Sequence, residues 1–107
     1  MSQVNFKVSL TARNALELIK REHTASLVYD EYIDVGEGRG IGTLIFEKYY
    51  IRNSNRAALT VICDDIRGKT EVRSIATGAS QHMFFKLDWG ASSEFAHSVE
   101  KILRDYI

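Results

Sequence analysis

Two arginines and an asparagine lie close together in the chain, at Arg52, Asn55 and Arg56. Guanidinium groups bind phosphate and carboxylate oxygens through paired, charge-assisted hydrogen bonds, and an amide side chain adds further donors. A second polar segment, further along the chain, contributes Ser80 and His82. If the fold brings the two segments together, these five side chains form a binding site for a small anion.

The same residues could instead serve a small enzyme. Histidine transfers protons near neutral pH, so His82 or His23 would carry the proton while Arg52 or Arg56 holds an anionic substrate. No nucleophile motif accompanies them. A pocket with a histidine beside a carboxylate or hydroxyl would favour the enzyme, whereas a flat polar rim would favour binding. We assign no catalytic residues and prefer a noncatalytic binding domain.

The spacing of the usual metal-binding and cofactor-binding residues does not indicate a metal or cofactor site. The histidines at positions 23, 82 and 97 form no i, i+4 pair, and Cys63 is the only cysteine. The glycines at positions 36, 38, 40 and 42 match neither a dinucleotide fingerprint nor a P-loop, and no helix follows them. We therefore predict a flexible hairpin there, with no cofactor and no metal.

Two further reactive side-chain types have structural explanations. Cys63 shares the parity of Leu59 and Val61 on a predicted strand, which indicates a buried core residue rather than an activated thiolate. Asp64 and Asp65 are adjacent, so on a strand their side chains point to opposite faces and cannot act as one carboxylate pair. We expect both to be solvated charges beside a turn.

The elements that must position these residues begin with a strand and a helix. Phe6, Val8 and Leu10 alternate with polar residues, which predicts a short strand with one apolar face. Thr11 is the expected N-cap of a helix that runs to about Glu22. Its apolar stripe, at spacings of three and four, consists of Ala12, Ala15, Leu16 and Ile19.

Four strands joined by short turns follow. They are predicted at residues 26–35, 41–52, 57–65 and 70–77, with turns at 36–40, 53–55 and 66–69. In the first of them Leu27, Tyr29, Ile33 and Val35 share one parity. Alternate strand ends coincide in an antiparallel meander, so residue 26, the segment 52–56 and residues 77–78 meet at one edge of the sheet. We place the anion site at that edge.

The end of the chain completes the fold. The segment 78–90 alternates in part like a strand, and Ser92 is the expected N-cap of a final helix whose apolar stripe runs from Phe95 to Tyr106. The free amides of that helix would face the anion edge. We predict a single α+β domain over residues 1–107. It is a two-layer sandwich in the order β-α-β-β-β-β-(β)-α, with a four- to six-stranded antiparallel meander sheet and both helices on one face.

Some predicted strands are apolar on both faces. Leu44 and Phe46 share one parity of their strand, and Ile41 and Ile45 share the other. A sheet with two apolar faces needs a second cover, which another copy of the chain would supply. We expect a homodimer. A third alternative, a purely structural homodimer, would have no pocket.

Charge and hydropathy limit the partners and the location. The 14 basic and 14 acidic side chains balance, whereas binding to nucleic acid or to an acidic membrane draws on an excess of Lys and Arg. No apolar run approaches the roughly 18 residues that cross a bilayer, and the N-terminus lacks the pattern of a secretory signal. We expect a cytoplasmic protein whose partners are a small anionic ligand and a second copy of itself, with no nucleic acid and no membrane.

Four segments carry a resemblance: GTLIFEKYY at 42–50, SNRAAL at 54–59, VRSIATG at 72–78 and DWG at 88–90. Together they are similar to a small family of bacterial proteins, mostly from Gram-positive species, that has no assigned activity. The resemblance covers almost the whole chain in the same order. It implies a cytoplasmic stand-alone domain and adds no mechanism.

Overall fold

A computed structural model describes residues 1–50, 55–78 and 89–107. The elements are β1 (Ser2–Val8), α1 (Ala12–Glu22), β2 (Ser26–Gly36), β3 (Arg39–Tyr50), β4 (Asn55–Asp64), β5 (Thr70–Gly78) and α2 (Trp89–Ile102), followed by a 3-10 turn (Arg104–Tyr106). The five strands form one antiparallel sheet in the order β1-β5-β4-β3-β2. The predicted α+β class and element order are confirmed. The optional strand expected within 78–90 falls almost entirely outside the described residues.

Both helices pack on one face of the sheet, which we call the inner face; the opposite face is the outer face. α1 buries the predicted stripe of Ala12, Ala15, Leu16 and Ile19, and α2 buries Phe95, Ala96 and Val99. The sheet contributes alternate residues to this core: Val8, Leu44, Phe46, Ala57, Leu59, Val61, Cys63, Val72 and Ala76. In the described segments no helix is long and apolar enough to span a membrane.

β2 departs from the predicted alternation. Register shifts occur between Leu27 and Tyr29 and again between Asp34 and Gly36. Leu27 therefore pairs with Phe46 on the inner face, whereas Tyr29 pairs with Ile45 on the outer face. The prediction that Leu27 and Tyr29 share a face is wrong. A β-bulge adds one unpaired residue, so the side chains after it lie on the opposite face from the one that strict alternation predicts. β2 is also an edge strand, exposed at every position but one.

A buried carboxylate ties the start of α1 to the sheet. Asp65 follows β4 directly; its Oδ2 accepts from Ala12 N at 2.9 Å and its Oδ1 from Gly40 N at 2.8 Å. The prediction that Asp64 and Asp65 are solvated is wrong, since they are only 5% and 8% exposed. Their opposite orientation is as expected, because Asp64 pairs instead with Arg73, 3.0 Å away.

The two helices begin differently. Thr11 caps α1 as predicted, and its Oγ1 accepts from Asn14 N at 3.1 Å. Ser92 is not the N-cap of α2, because the helix already begins at Trp89 and Ser92 lies buried inside it. Its hydroxyl donates to Ser2 Oγ at 3.1 Å. Ser92 therefore fixes α2 to β1 and leaves no helix-start amide for a ligand at that residue.

We predict that Asp65→Ala lowers the free energy of unfolding by about 3 kcal/mol, because two buried amides lose a charged acceptor at once. Urea denaturation measures the change. Asp105→Ala, which removes an exposed carboxylate from the 3-10 turn, is the matched control and should stay within about 0.5 kcal/mol of the wild type. Equal stability of the two variants would contradict an anchoring role for Asp65.

Candidate functional site

Four strands meet at the edge where the sequence places the anion site. Ser26 of β2 pairs with Glu47 of β3, and Ala58 of β4 pairs with both Glu47 and Thr77 of β5. The start of β2, the end of β3, the start of β4 and the end of β5 therefore lie side by side. We call this the cleft end of the sheet; its opposite, with the turns at 37–38 and 65–69, is the turn end. The predicted coincidence of strand ends is confirmed.

The predicted anion-site residues are only partly covered by the described chain. Arg52, Ser80 and His82 lie outside the described residues. Asn55 and Arg56 are the first two residues of β4, where they pair with Tyr50 and Tyr49. The turn expected at 53–55 therefore ends earlier than predicted, and Arg56 is an exposed strand residue at the cleft end. The joint site of all five residues stays a prediction.

A cleft of about 250 Å³ opens at this end, and we call it the helix–sheet cleft. It is lined by His23, Thr24, Ala25, Ser26, Glu47, Lys48, Tyr49, Phe95 and Ser98. An adjoining hollow of about 190 Å³ shares Ser26, Glu47, Lys48 and Tyr49 and adds Arg56. Arg56 thus borders a concave surface, which is the form that small-molecule sites take.

The described lining of the cleft and its adjoining hollow includes two cations and one carboxylate. Lys48 pairs with buried Ala57 and therefore lies on the inner face, whereas Glu47 and Arg56 lie on the outer face. Side chains alternate along a strand, so neighbours 47 and 48 reach the site from opposite faces. The sequence reasoning missed Lys48. The available signal was its parity with Leu44 and Phe46, which turns a cation towards the helices.

His23 connects the two helices inside the cleft. It follows the last residue of α1, and its Nδ1 accepts from Ala25 N at 3.1 Å. The ring proton therefore sits on Nε2, which donates to Ser98 Oγ at 2.8 Å. The Ser98 hydroxyl in turn donates to the Phe95 carbonyl. The imidazole stacks on Phe46 with ring centroids 4.5 Å apart.

These contacts hold His23 as a neutral structural residue. Burial, and secondarily the nearby Lys48 charge, lower its pKa below the ordinary value. Both ring nitrogens already have partners in the protein, so neither is turned to a substrate. Of the two proton carriers that the enzyme alternative requires, His23 is engaged in this way and His82 lies outside the described residues.

The other candidate features serve packing. Cys63 is fully buried, and burial raises the pKa of its thiol to about 12, which confirms it as a core residue. A Cβ atom at Gly42 would lie 2.7 Å from both Leu16 Cδ atoms, so this glycine lets α1 approach β3. Gly36 and Gly38 have positive φ in the β2–β3 turn. Within 1–50, 55–78 and 89–107, no group of three potential ligands could hold a metal ion.

The lowered pKa of His23 predicts a pH-dependent stability. The unfolded chain protonates this histidine near 6.5, before the folded protein does. Its contribution is present above that pH. It is lost as the pH falls from 6.5 towards the lowered pKa, by up to about 1.4 kcal/mol per pH unit. Urea denaturation between about pH 7.5 and pH 5.5 should show a flatter dependence for His23→Gln.

His97→Gln is the control, because His97 is an exposed α2 residue that bonds only Glu100 among the described side chains and leaves His23 intact. A slope reduced equally in both variants would mean that His23 is not the titrating group.

Comparison with known proteins identifies the family of this chain. The chain has no significant match among curated proteins or among solved structures. The model of a family of unknown function, DUF6054, matches residues 1–107. That match covers the whole sheet, both helices and the helix–sheet cleft. The chain therefore belongs to DUF6054, a family of unknown function.

Proposed function

We propose that this protein is a noncatalytic, cytoplasmic bacterial domain that binds a small anionic ligand at the cleft end and self-associates as a homodimer. The observation that carries the ligand proposal is the concave surface bordered by Lys48 and Arg56. Among the described lining residues, Lys48 and Arg56 are the cations and Glu47 is the carboxylate. A single buried thiol, Cys63, and no other cysteine suit a reducing compartment.

The lining indicates the size and chemistry of the ligand. A cleft of about 250 Å³ lies below the roughly 300 Å³ at which drug-sized pockets begin, so it suits a small metabolite. Thr24 and Ser26 offer hydroxyls beside the cations, and Phe95 offers an apolar wall. The carboxylate of Glu47 would repel a second negative group on the ligand. We therefore propose a ligand with one phosphate or carboxylate and a small apolar part.

Binding fits the site better than catalysis does. A general acid or base must reach the reacting atom by a hydrogen bond, but the ring of His23 is occupied by Ala25 and Ser98. The contact of His23 with the Ser98 hydroxyl in a concave cleft is the arrangement expected of the enzyme alternative. Because the Ser98 hydroxyl donates to the Phe95 carbonyl and both ring nitrogens of His23 are engaged, we prefer binding and propose no reaction.

The test is thermal unfolding against a panel of singly phosphorylated and carboxylated metabolites, with inorganic phosphate and acetate as the minimal anions. A ligand at about one hundred times its dissociation constant adds about 2.7 kcal/mol to the free energy of unfolding. That amount raises the midpoint by several degrees for a domain of this size. We expect such a shift in the wild type and its loss in Lys48→Ala and in the double variant Arg52→Ala, Arg56→Ala. Titration calorimetry then gives the affinity.

Arg104→Ala is the matched control. Arg104 is exposed in the 3-10 turn, next to Tyr106, whose carbonyl bonds Ser9 at the turn end. This variant should respond to the ligand as the wild type does. The proposal fails if no anion shifts the wild type, or if the shift survives in the cleft variants.

A further inference from the structure

The outer face of the sheet carries apolar side chains on four neighbouring strands, interspersed with polar ones such as Thr43, Thr60 and Arg73. Ile41 and Ile45 of β3, Ile62 of β4 and Ile75 of β5 are all half-buried there, and Tyr29 and Ile33 of β2 extend the surface with exposures of 45% and 49%. The strand register aligns these residues in adjacent rows. Both helices lie on the inner face, and no element within the described ranges covers the outer one. Patches of this kind mark interaction sites.

The area of the outer face matches a protein interface. Five strands spaced about 4.8 Å apart, with four rows of outward side chains about 6.8 Å apart, cover roughly 650 Å². Two such faces in contact bury roughly 1,300 Å². A specific interface buries at least about 1,000 Å² in total. The outer face is therefore large enough for a stable dimer without help from another surface.

The charges on this face are arranged for a second copy of the same chain. Acidic Glu31 lies at the β2 side, and basic Arg73 and Lys7 lie at the β5 and β1 side together with acidic Glu71. A two-fold axis parallel to the strands places β2 of one copy opposite β1 of the other. Arg73 and the Glu31 of the second copy then share a row, one strand apart. The formal net charge of zero adds no long-range repulsion between copies.

We infer that two copies pack their outer faces together, with the two-fold axis along the strands, to form a four-layer helix–sheet–sheet–helix dimer. The inference rests on the self-association in the proposed function and does not depend on the ligand. The alternative interface is the exposed edge of β2. Its self-pairing would bring Asp30, Glu31 and Asp34 of both copies together with no cation on the strand, and charges of this kind protect edge strands from pairing.

Sedimentation velocity and light scattering on the full chain test the inference. We expect a wild-type dimer with a dissociation constant that Ile62→Lys raises at least tenfold, because a charge at the centre of the interface loses its solvent. Ile107→Lys is the matched control. It introduces the same charge at a C-terminal position that lies outside the sheet and is 61% exposed, and it should leave the dimer intact. A monomeric wild type, or a dimer that Ile107→Lys weakens as much as Ile62→Lys does, would overturn the outer-face interface.

Isotope-filtered NOE spectra of mixed labelled and unlabelled wild-type protein supply a test that needs no variant. Contacts between copies should involve the methyl groups of Ile45, Ile62 and Ile75. Contacts confined to β2 residues would reject the outer-face dimer. The anion panel, repeated on Ile62→Lys, separates the two proposals. If the monomeric variant still binds an anion, the proposal of the ligand site is retained. If the wild type is a dimer that binds no anion, only the proposal of the interface is retained.

Discussion

The carboxylate of Asp65 connects three parts of the chain that are far apart in sequence. It accepts the first amide of α1 and an amide at the start of β3, while the Asp65 amide bonds back to the Gly40 carbonyl. A negative charge at the start of a helix also complements the helix dipole. With its start fixed at the turn end, α1 runs 11 residues, about 16 Å at 1.5 Å per residue. This length delivers His23 to the cleft end, so the position of the cleft depends on a contact at the opposite end of the sheet.

Three hydroxyl groups add hydrogen bonds to the apolar packing that holds the second helix to this frame. Ser74 of β5 donates to the Ala96 carbonyl at 2.7 Å, and Ser92 bonds Ser2. Ser98 Oγ accepts a hydrogen bond from His23 Nε2. These bonds fix α2 along the β1 and β5 side of the inner face, which leaves the side near the end of β3 open. The helix–sheet cleft is the space that remains between α1, α2 and the end of β3.

The parts of this fold that sequence reasoning predicts are those set by near neighbours. The apolar stripe of α1, the Thr11 cap and the parity of Cys63 follow from spacings of two to four residues, and the cleft end follows from strand pairing. Asp65 could not be predicted in the same way, because its partners are 53 and 25 residues away. The sequence has no glycine or other turn residue that would indicate the bulge after Leu27. Lys48 shares the parity of Leu44 and Phe46, but its place in the site also depends on the helices that lie over that face. Ser92 is not the N-cap because the helix begins three residues earlier, at Trp89.

Strand alternation separates the two surfaces and also relates them. On β3, Phe46 and Lys48 face the helices, while Ile45 and Glu47 face outwards, so one strand serves the core and cleft on one side and the proposed interface on the other. Arg56 belongs to the outer face as well, four residues along β4 from Thr60, or about 13 Å. It therefore borders both the cleft and the rim of the dimer. A two-fold axis along the strands keeps the direction of every strand, so the cleft ends of both copies would open on the same side. The dimer would then present two anion sites to one side, with Arg56 of each copy between its own cleft and the shared interface.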